Sequence, residues 1–414
     1  MVSGKSLDGW WGCLRRFYKG KGVMSEAKRQ EEKPYLSEGK ITDQGLNELR
    51  RRVGKKFRIN PFNTLASRDA IRHFVDGVGD VNPLFRDEGY AKDTRYGEIV
   101  APPSWLYSVF PTWIPQGLKG VHAFHAGNDW TFYKPIFEGD TITPELTFTH
   151  FDEKKSRFAE KVVIVHYDDN FFNQGGEKVA NVKAWSIRAE RHTAREKGKY
   201  SDLQLPHPWT EEELEEIESQ VLAEEIRGEE PRHWEDVQEG EELPALVKGP
   251  LGLTDMISWC IGSCPVQLKA LGAALRDYRR HPGWAFRDPN TGALEPTFAV
   301  HYDVGAAKSA GVPYMYDVGV QRQQWLIQHL TNWIGDEGWL KTCYAEYRRF
   351  VYLSDVIRLK GKVSKKYVDE SGESCLDIET WADNQRGENV MPGRSTVILP
   401  SRERDTWPVE KRLE

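Results

Sequence analysis

The chain has 414 residues, 39% hydrophobic and 12% aromatic, with a formal net charge of −6. That length suffices for two cores of the usual ~100–200 residues. The acidic balance excludes a general nucleic-acid-binding footprint, and no run of about 18 apolar residues is present to cross a membrane.

Residues 1–44 read as an N-terminal extension, basic over 1–23 and carrying the pair Trp10-Trp11. Met24 looks the more natural start, and the stretch before it is expected to be partly disordered. No apolar core follows the basic residues, so no secretory leader is expected and the chain is read as cytoplasmic. The five cysteines (Cys13, Cys260, Cys264, Cys343, Cys375) are scattered and odd in number, which fits free thiols in a reducing compartment. Cys260 and Cys264 could share a helix face, but without a His or Cys cluster beside them no zinc site is expected.

A first domain is expected over 45–200. Thr42 to Val53 reads as a helix with Leu46 and Leu49 inward. Ser67 is a plausible N-cap for a second helix with Ala70, Ile71, Phe74, Val75 and Val78 on its apolar face. Asp80-Val-Asn-Pro-Leu-Phe-Arg-Asp follows, then Tyr96-Gly-Glu-Ile-Val-Ala-Pro-Pro, and an apolar helical stretch Ser104–Phe110 behind the proline pair. Strands are expected at 126–133, 141–149, 158–167 and 179–189, where Val, Ile, Thr and aromatics concentrate. Residues 201–233 form an acidic linker with a helix over Glu211–Arg227.

A second domain, 234–402, replays the first, before a tail at 403–414. Thr254 is expected to cap a helix as Ser67 does, and Gly319–Ile334 reads as a long amphipathic helix with Trp325, Leu326, His329, Leu330 and Trp333 on related faces. Strands are expected at 342–350, 356–363, 375–382 and 395–399. Phe85–Pro103 overlays His301–Gly319, with Asp87 on Asp303, and Phe132-Tyr-Lys-Pro matches Tyr347-Arg-Arg-Phe. Such self-similarity points to a duplicated domain. An insertion over 266–296 occurs in the second copy only, opening with a helix at Gln267–Arg280 and holding a turn at Asp288-Pro-Asn-Thr-Gly.

Helix, Asp-x-Asn-Pro, a second helix behind a Gly or a Pro pair, and then antiparallel strands resembles the MaoC-like (R)-specific enoyl-CoA hydratase/dehydratase family. The resemblance covers nearly all of 45–400. It implies an α+β fold of two tandem hot-dog domains, each a curled antiparallel sheet around a central helix, packed as a pseudo-dimer. It also implies a hydro-lyase acting on an acyl thioester, carried by CoA or an acyl-carrier protein, with no cofactor beyond the CoA of the substrate. A homodimer or a dimer of pseudo-dimers is the expected assembly. That chemistry uses an Asp and a His as acid and base, an Asn to orient water, and a backbone amide at a helix start to polarise the thioester carbonyl.

By the same resemblance, Asp80 falls on the catalytic Asp and Asn82 on the Asn, but Phe85 stands where the His belongs. Pro103 replaces the amide-bearing residue and has no N–H. The first half is therefore expected to be non-catalytic, with Asp80 and Asn82 left to substrate binding or to turn formation. In the second half His301 falls on the catalytic His and Gly319 on the helix-start glycine, while the Asp position falls near Cys264-Pro265. Asp303 or Asp317 is the expected acidic partner of His301, with Glu295 a further carboxylate at the end of the insertion. Tyr314, Tyr316 and Arg322 are candidates for substrate contacts, Arg322 also for a plain ion pair. His122, His125 and Asp129 are weaker candidates. The aromatic content, including 15 Trp, fits either large aromatic cores or a pocket for a bulky acyl group. A non-catalytic acyl-binding or partner subunit, and a hot-dog thioesterase, remain alternatives. No Walker loop or dinucleotide fingerprint is present to suggest nucleotide or hydride chemistry.

Overall fold

The computed structural model describes residues 39–112, 114, 117–154, 161–190, 203–263 and 268–413. The readings made for residues 1–38 and for Cys264-Pro265 lie outside these.

The first half opens with α1 (Asp43–Arg50), started by Thr42, whose side chain accepts the Gly45 N–H, and burying Leu46 and Leu49. After β1 (Lys56–Phe57) comes α2 (Arg68–Val78). Ser67 caps it by accepting the Ala70 N–H, and Gly79 ends it in the left-handed region at φ 72°, where a glycine carries no Cβ penalty. Then follow α3 (Glu88–Asp93), β2 (Val100–Ala101), a single 3-10 turn Pro103–Trp105 and α4 (Leu106–Val109). The sheet strands are β3 (His122–Phe132), β4 (Ile136–Phe137), β5 (Thr143–Lys154), β6 (Val162–Phe172) and β7 (Lys178–Ala189).

The acidic segment folds as α5 (Glu211–Leu222), shorter than expected, with a capping box in which Thr210 and Glu213 satisfy each other's backbone amides. The second half contains β8 (Glu242–Lys248), α6 (Leu253–Ser263), α7 (Leu271–Arg280), a hairpin of β9 (Ala285–Arg287) and β10 (Leu294–Pro296), α8 (Val304–Ser309) and α9 (Gly319–Ile334). It closes with β11 (Trp339–Glu346), β12 (Ile357–Val368), β13 (Ser374–Asn384) and β14 (Asn389–Ile398). Thr254 lies inside α6 rather than capping it. The orphan amide there, that of Gly252, is taken by the Asp255 carboxylate at 2.6 Å. The Asp288 turn is the loop of the β9–β10 hairpin.

Ten strands form one antiparallel sheet in the order β1-β5-β6-β7-β3-β11-β14-β13-β12-β8. The halves join where β3 pairs with β11, and there Asp129 faces Tyr344. The same residue offset that relates Phe132 to Tyr347 relates Asp129 to Tyr344. Each of these two residues therefore meets its own repeat equivalent, as expected on a pseudo-two-fold axis.

Helices α2 and α6 pack against each other through two glycines. A Cβ on Gly77 would stand 2.6 Å from the Ser258 carbonyl oxygen, and one on Gly262 would stand 2.4 Å from that of His73. Glycine inside a helix costs about 1 kcal/mol relative to alanine, a cost accepted here for the close approach.

Helix α9 lies along the core with fourteen of its residues buried, not only the apolar stripe expected of it. Its buried polar side chains reach distant partners. Gln323 donates to the Cys343 carbonyl, Gln324 accepts from the Trp259 indole, Gln328 donates to the Gly79 carbonyl and to Glu224, and His329 donates to the Pro244 carbonyl. Paired in this way, polar groups can enter a core that would otherwise reject them.

Candidate functional site

Two regions carry the motif, one in each half. In the first, the chain leaves α2 at Gly79 and turns sharply. Asp80 is 2% exposed and its carboxylate accepts the Asn82 N–H at 3.0 Å, while Asn82 Oδ1 accepts the Leu84 N–H at 3.0 Å. Second-half residues hold this turn from outside: the Trp325 indole donates to the Val78 carbonyl and Lys248 to that of Gly79. Burial pushes the Asp80 carboxyl up to about 6, partly offset by the Asn82 amide and by Lys248. The hydrogen bonding of Asp80 and Asn82 is that of a tight turn. Asn82 also lines a cavity of about 50 Å³, together with Phe85, Pro103, Leu106, Phe132 and Ile136 from the first half and Thr331, Ile334 and Trp339 from the second. The space is apolar and several times what one water needs. It holds both residues by which this half departs from the expected pattern, Phe85 and Pro103.

In the second half, the stretch before α9 is extended. Tyr316 bridges to Tyr352, and the Asp317 N–H donates to the Val351 carbonyl. His301 sits against it, with Nδ1 2.8 Å from the Tyr316 carbonyl oxygen. A carbonyl can only accept, so Nδ1 carries the proton and Nε2 is left with its lone pair. Phe298 and Tyr316 rings flank the imidazole, each with centroids 4.6 Å away. Burial lowers its pKa to about 4, against a raising contribution from the Tyr316 carbonyl, so it is neutral at physiological pH. Gly319 begins α9 three residues beyond Tyr316, and no side chain caps that helix start. The side chain of Tyr347 covers the glycine: an added Cβ would lie 2.6 Å from its ring.

The expected acidic partners do not reach His301. Asp303 caps α8 instead, its carboxylate accepting the Ala306 N–H at 2.6 Å. Asp317 is 1% exposed and lies 2.6 Å from Arg322 Nε. The Nε–H does not point along that contact, so charge rather than an aligned hydrogen bond holds the pair. Burial raises the Asp317 carboxyl to about 6 despite the guanidinium. Arg322 Nη1 donates to the Arg349 and Val390 carbonyls and the residue is buried, so it is a core ion-pair residue. Tyr314 and Tyr316 pack with Phe350 and Tyr352 in a separate apolar cluster around Val300 and Ala306. Among the described residues no carboxylate hydrogen-bonds to His301.

A buried polar network that the sequence did not announce lies between the two regions. Gln323 Oε1 accepts from the hydroxyls of Tyr107 (3.1 Å) and Tyr347 (2.7 Å). The Asn128 amide donates to Tyr107 at 2.8 Å, and Asn128 Oδ1 lies 2.8 Å from His125 Nε2. Tyr107 and Gln323 are equivalent positions in the repeat, so the axis has placed one polar pair face to face. The available signal was Tyr347 itself, a hydroxyl added at the repeat position that holds Phe132 in the first half.

Residues 51–182 match the FAS1-like, dehydratase domain region family. A UPF0336 protein of Parafrankia sp. (strain EAN1pec) is 30% identical over 136 residues, 31% of this chain and 85% of that protein. The (R)-specific enoyl-CoA hydratase of Aeromonas caviae is 30% identical over 97 residues, 23% of this chain and 67% of that enzyme. Among solved structures, a MaoC-like dehydratase aligns over 84% of this chain and 99% of its own, with a TM-score of 0.59 at 16% identity. A putative MaoC domain protein dehydratase from Chloroflexus aurantiacus J-10-fl aligns over 85% and 96%, with a TM-score of 0.53 at 13% identity. The structural likenesses extend the double hot-dog fold along the chain, and the sequence likenesses identify the lineage: the chain belongs to the MaoC-like hydratase/dehydratase family.

Proposed function

We propose that the protein is a hydro-lyase on an acyl thioester carried by CoA, working at the start of α9 in the second half. The observation that carries this reading is the hydrogen bond from His301 Nδ1 to the Tyr316 carbonyl. It fixes one tautomer and leaves Nε2 able to take or return a proton. The uncapped amides at the start of α9, next to Gly319, supply the positive end of the helix for a developing enolate oxygen. The cavity at Asn82, Phe85 and Pro103 then receives the acyl end, in the half that has lost its own proton-transfer group. A base held near 4 is a weak acceptor at neutral pH, so a second group must share the work. Asp303 is engaged as a cap and Asp317 as an ion pair, so neither is free for that task.

A specific observation also favours a second reading, a non-catalytic acyl-thioester-binding subunit: the cavity lies beside Phe85 rather than beside His301. The two separate in one experiment. Purified protein is given enoyl-CoA substrates from crotonyl-CoA to longer and aromatic acyl groups, and loss of enoyl absorbance is followed. Hydration that disappears in His301→Ala supports the hydro-lyase. Thermal stabilisation by acyl-CoA with no turnover across the panel supports the binding subunit. Free CoA thiol released in step with the loss of absorbance would identify a thioesterase and overturn both.

A further inference from the structure

On the outer face of the first-half sheet, β5 and β6 bring together three side chains with metal-ligand chemistry. Strand pairing sets His150 opposite His166, and Asp152 follows two residues on along β5. One ligand atom from each lies within 4.8 Å of the others. A register shift between Phe148 and His150 makes this possible. Phe148 is fully buried, so strict alternation would turn His150 inward as well, whereas the bulge leaves both Thr149 and His150 on the solvent side.

The two imidazoles lie parallel, with centroids 4.1 Å apart and planes within 4°. Two imidazolium cations would repel at that spacing, so at least one ring is neutral, the form a metal requires. Burial and the neighbouring His150 lower the pKa of His166, against a raising contribution from Asp152. Thr149 sets the other ring. Its hydroxyl donates to the His166 carbonyl at 3.1 Å and so has a lone pair for His150 Nδ1, also at 3.1 Å. That arrangement keeps the proton on Nδ1 and frees Nε2, as an outer hydrogen bond does for a metal-bound histidine. The third pair is already in contact, with His166 Nε2 3.2 Å from Asp152 Oδ2.

We propose that His150, Asp152 and His166 bind a divalent transition-metal cation of the zinc class, clamping β5 to β6 on the face of the sheet away from the core. Two imidazole nitrogens and one carboxylate oxygen suit zinc, nickel or cobalt rather than calcium or magnesium, which prefer oxygen ligands throughout. Metal–ligand bonds of about 2.0–2.2 Å require the three atoms to draw closer than they now stand. The side chains are on the surface, so rotation suffices without moving the strands. Three protein ligands leave a coordination position for water. The site is independent of the reaction proposed above.

The test is equilibrium dialysis of the chelator-washed full chain against micromolar ZnCl2, with bound metal counted by mass spectrometry. The wild type is expected to retain one equivalent more than the His150→Ala/His166→Ala double variant, and Asp152→Asn to weaken that equivalent by roughly tenfold or more. Cobalt(II) provides a second readout: visible d–d bands in the wild type that the double variant lacks. Circular dichroism of the variants checks that they fold. Equal zinc content in the folded wild type and double variant, no retained zinc in either, or cobalt bands dominated by thiolate charge transfer would each overturn the proposal.

Discussion

The same repeat position is built in opposite ways in the two halves. In the second, α9 runs for 16 residues, about 24 Å, through the middle of the core. In the first, the corresponding stretch is one 3-10 turn and the four-residue α4. Proline accounts for both ends of the shorter one: Pro103 begins the turn, and Pro111 stands directly behind Phe110, where a helix would have to continue. The first half fills its interior with Trp105, Trp130, Phe148 and Phe171, and retains an apolar cavity. The second fills its own with a helix whose Gln323, Gln324, Gln328 and His329 side chains are placed by long-range partners. The halves thus differ behind the motif: a cavity lies beside Phe85 in the first, and His301 bonds to the Tyr316 carbonyl in the second.

The contrast is broken most forcefully at the helix start. Arg322→Met leaves the Asp317 carboxylate buried without its counter-charge, and a loss of about 3–5 kcal/mol in urea unfolding is expected. Adding Asp317→Leu to that variant should recover most of it. A loss below about 1 kcal/mol for Arg322→Met would mean that the pair does not hold the second half's helix in place. Next in size is the seam between the halves. Gly77→Ala and Gly262→Ala each force a methyl against a backbone carbonyl, and about 1–3 kcal/mol is expected from thermal unfolding. Unchanged stability in both would show that α2 and α6 can move apart freely.

A smaller effect separates His301 from Phe85 by pH. Burial holds His301 near 4, whereas in the unfolded chain it titrates near 6.5. Between those values the unfolded state binds the extra proton, so stability is lost as pH falls through the window from about 6.5 to about 4. His301→Gln removes that contribution. The wild type should lose about 1–2 kcal/mol more than the variant between pH 7 and pH 4, a figure kept below the full shift because the ring is only partly shielded from solvent. His125 and His329, also near 4, add to the acid loss in both proteins, while Asp80 and Asp317, raised to about 6, oppose it in both. Parallel pH curves for wild type and variant would place His301 in water. The smallest effect expected is Ser67→Ala, about 1 kcal/mol from the lost cap on α2.

Local chemistry was legible in the sequence wherever it alone decided the outcome. Ser67 before an apolar face identifies α2, and concentrations of Val, Ile, Thr and aromatics identify most of β3, β5, β6 and β7. The failures share a cause. Thr254 has the right chemistry for a cap, but the helix starts one residue earlier. Asp303 has the right position for an acid, but its nearest orphan amide claims it. The amphipathic pattern of α9 brings only its apolar face and His329 inward, since nothing nearby in sequence reveals that Cys343, Trp259 and Glu224 will meet its glutamines. His125 and Asn128, three residues apart, would face opposite sides of a regular strand, but a register shift between His125 and Gly127 lets their side chains meet.

The ten-stranded sheet has one further consequence, at its two outermost strands. One end is β1, two residues long and bearing Lys56; the other is β8, which carries Glu242, Pro244 and Lys248. Charge, proline and brevity are the devices that stop a bare edge from recruiting another chain. Joining the halves through β3 and β11 places both of those strands inside the sheet.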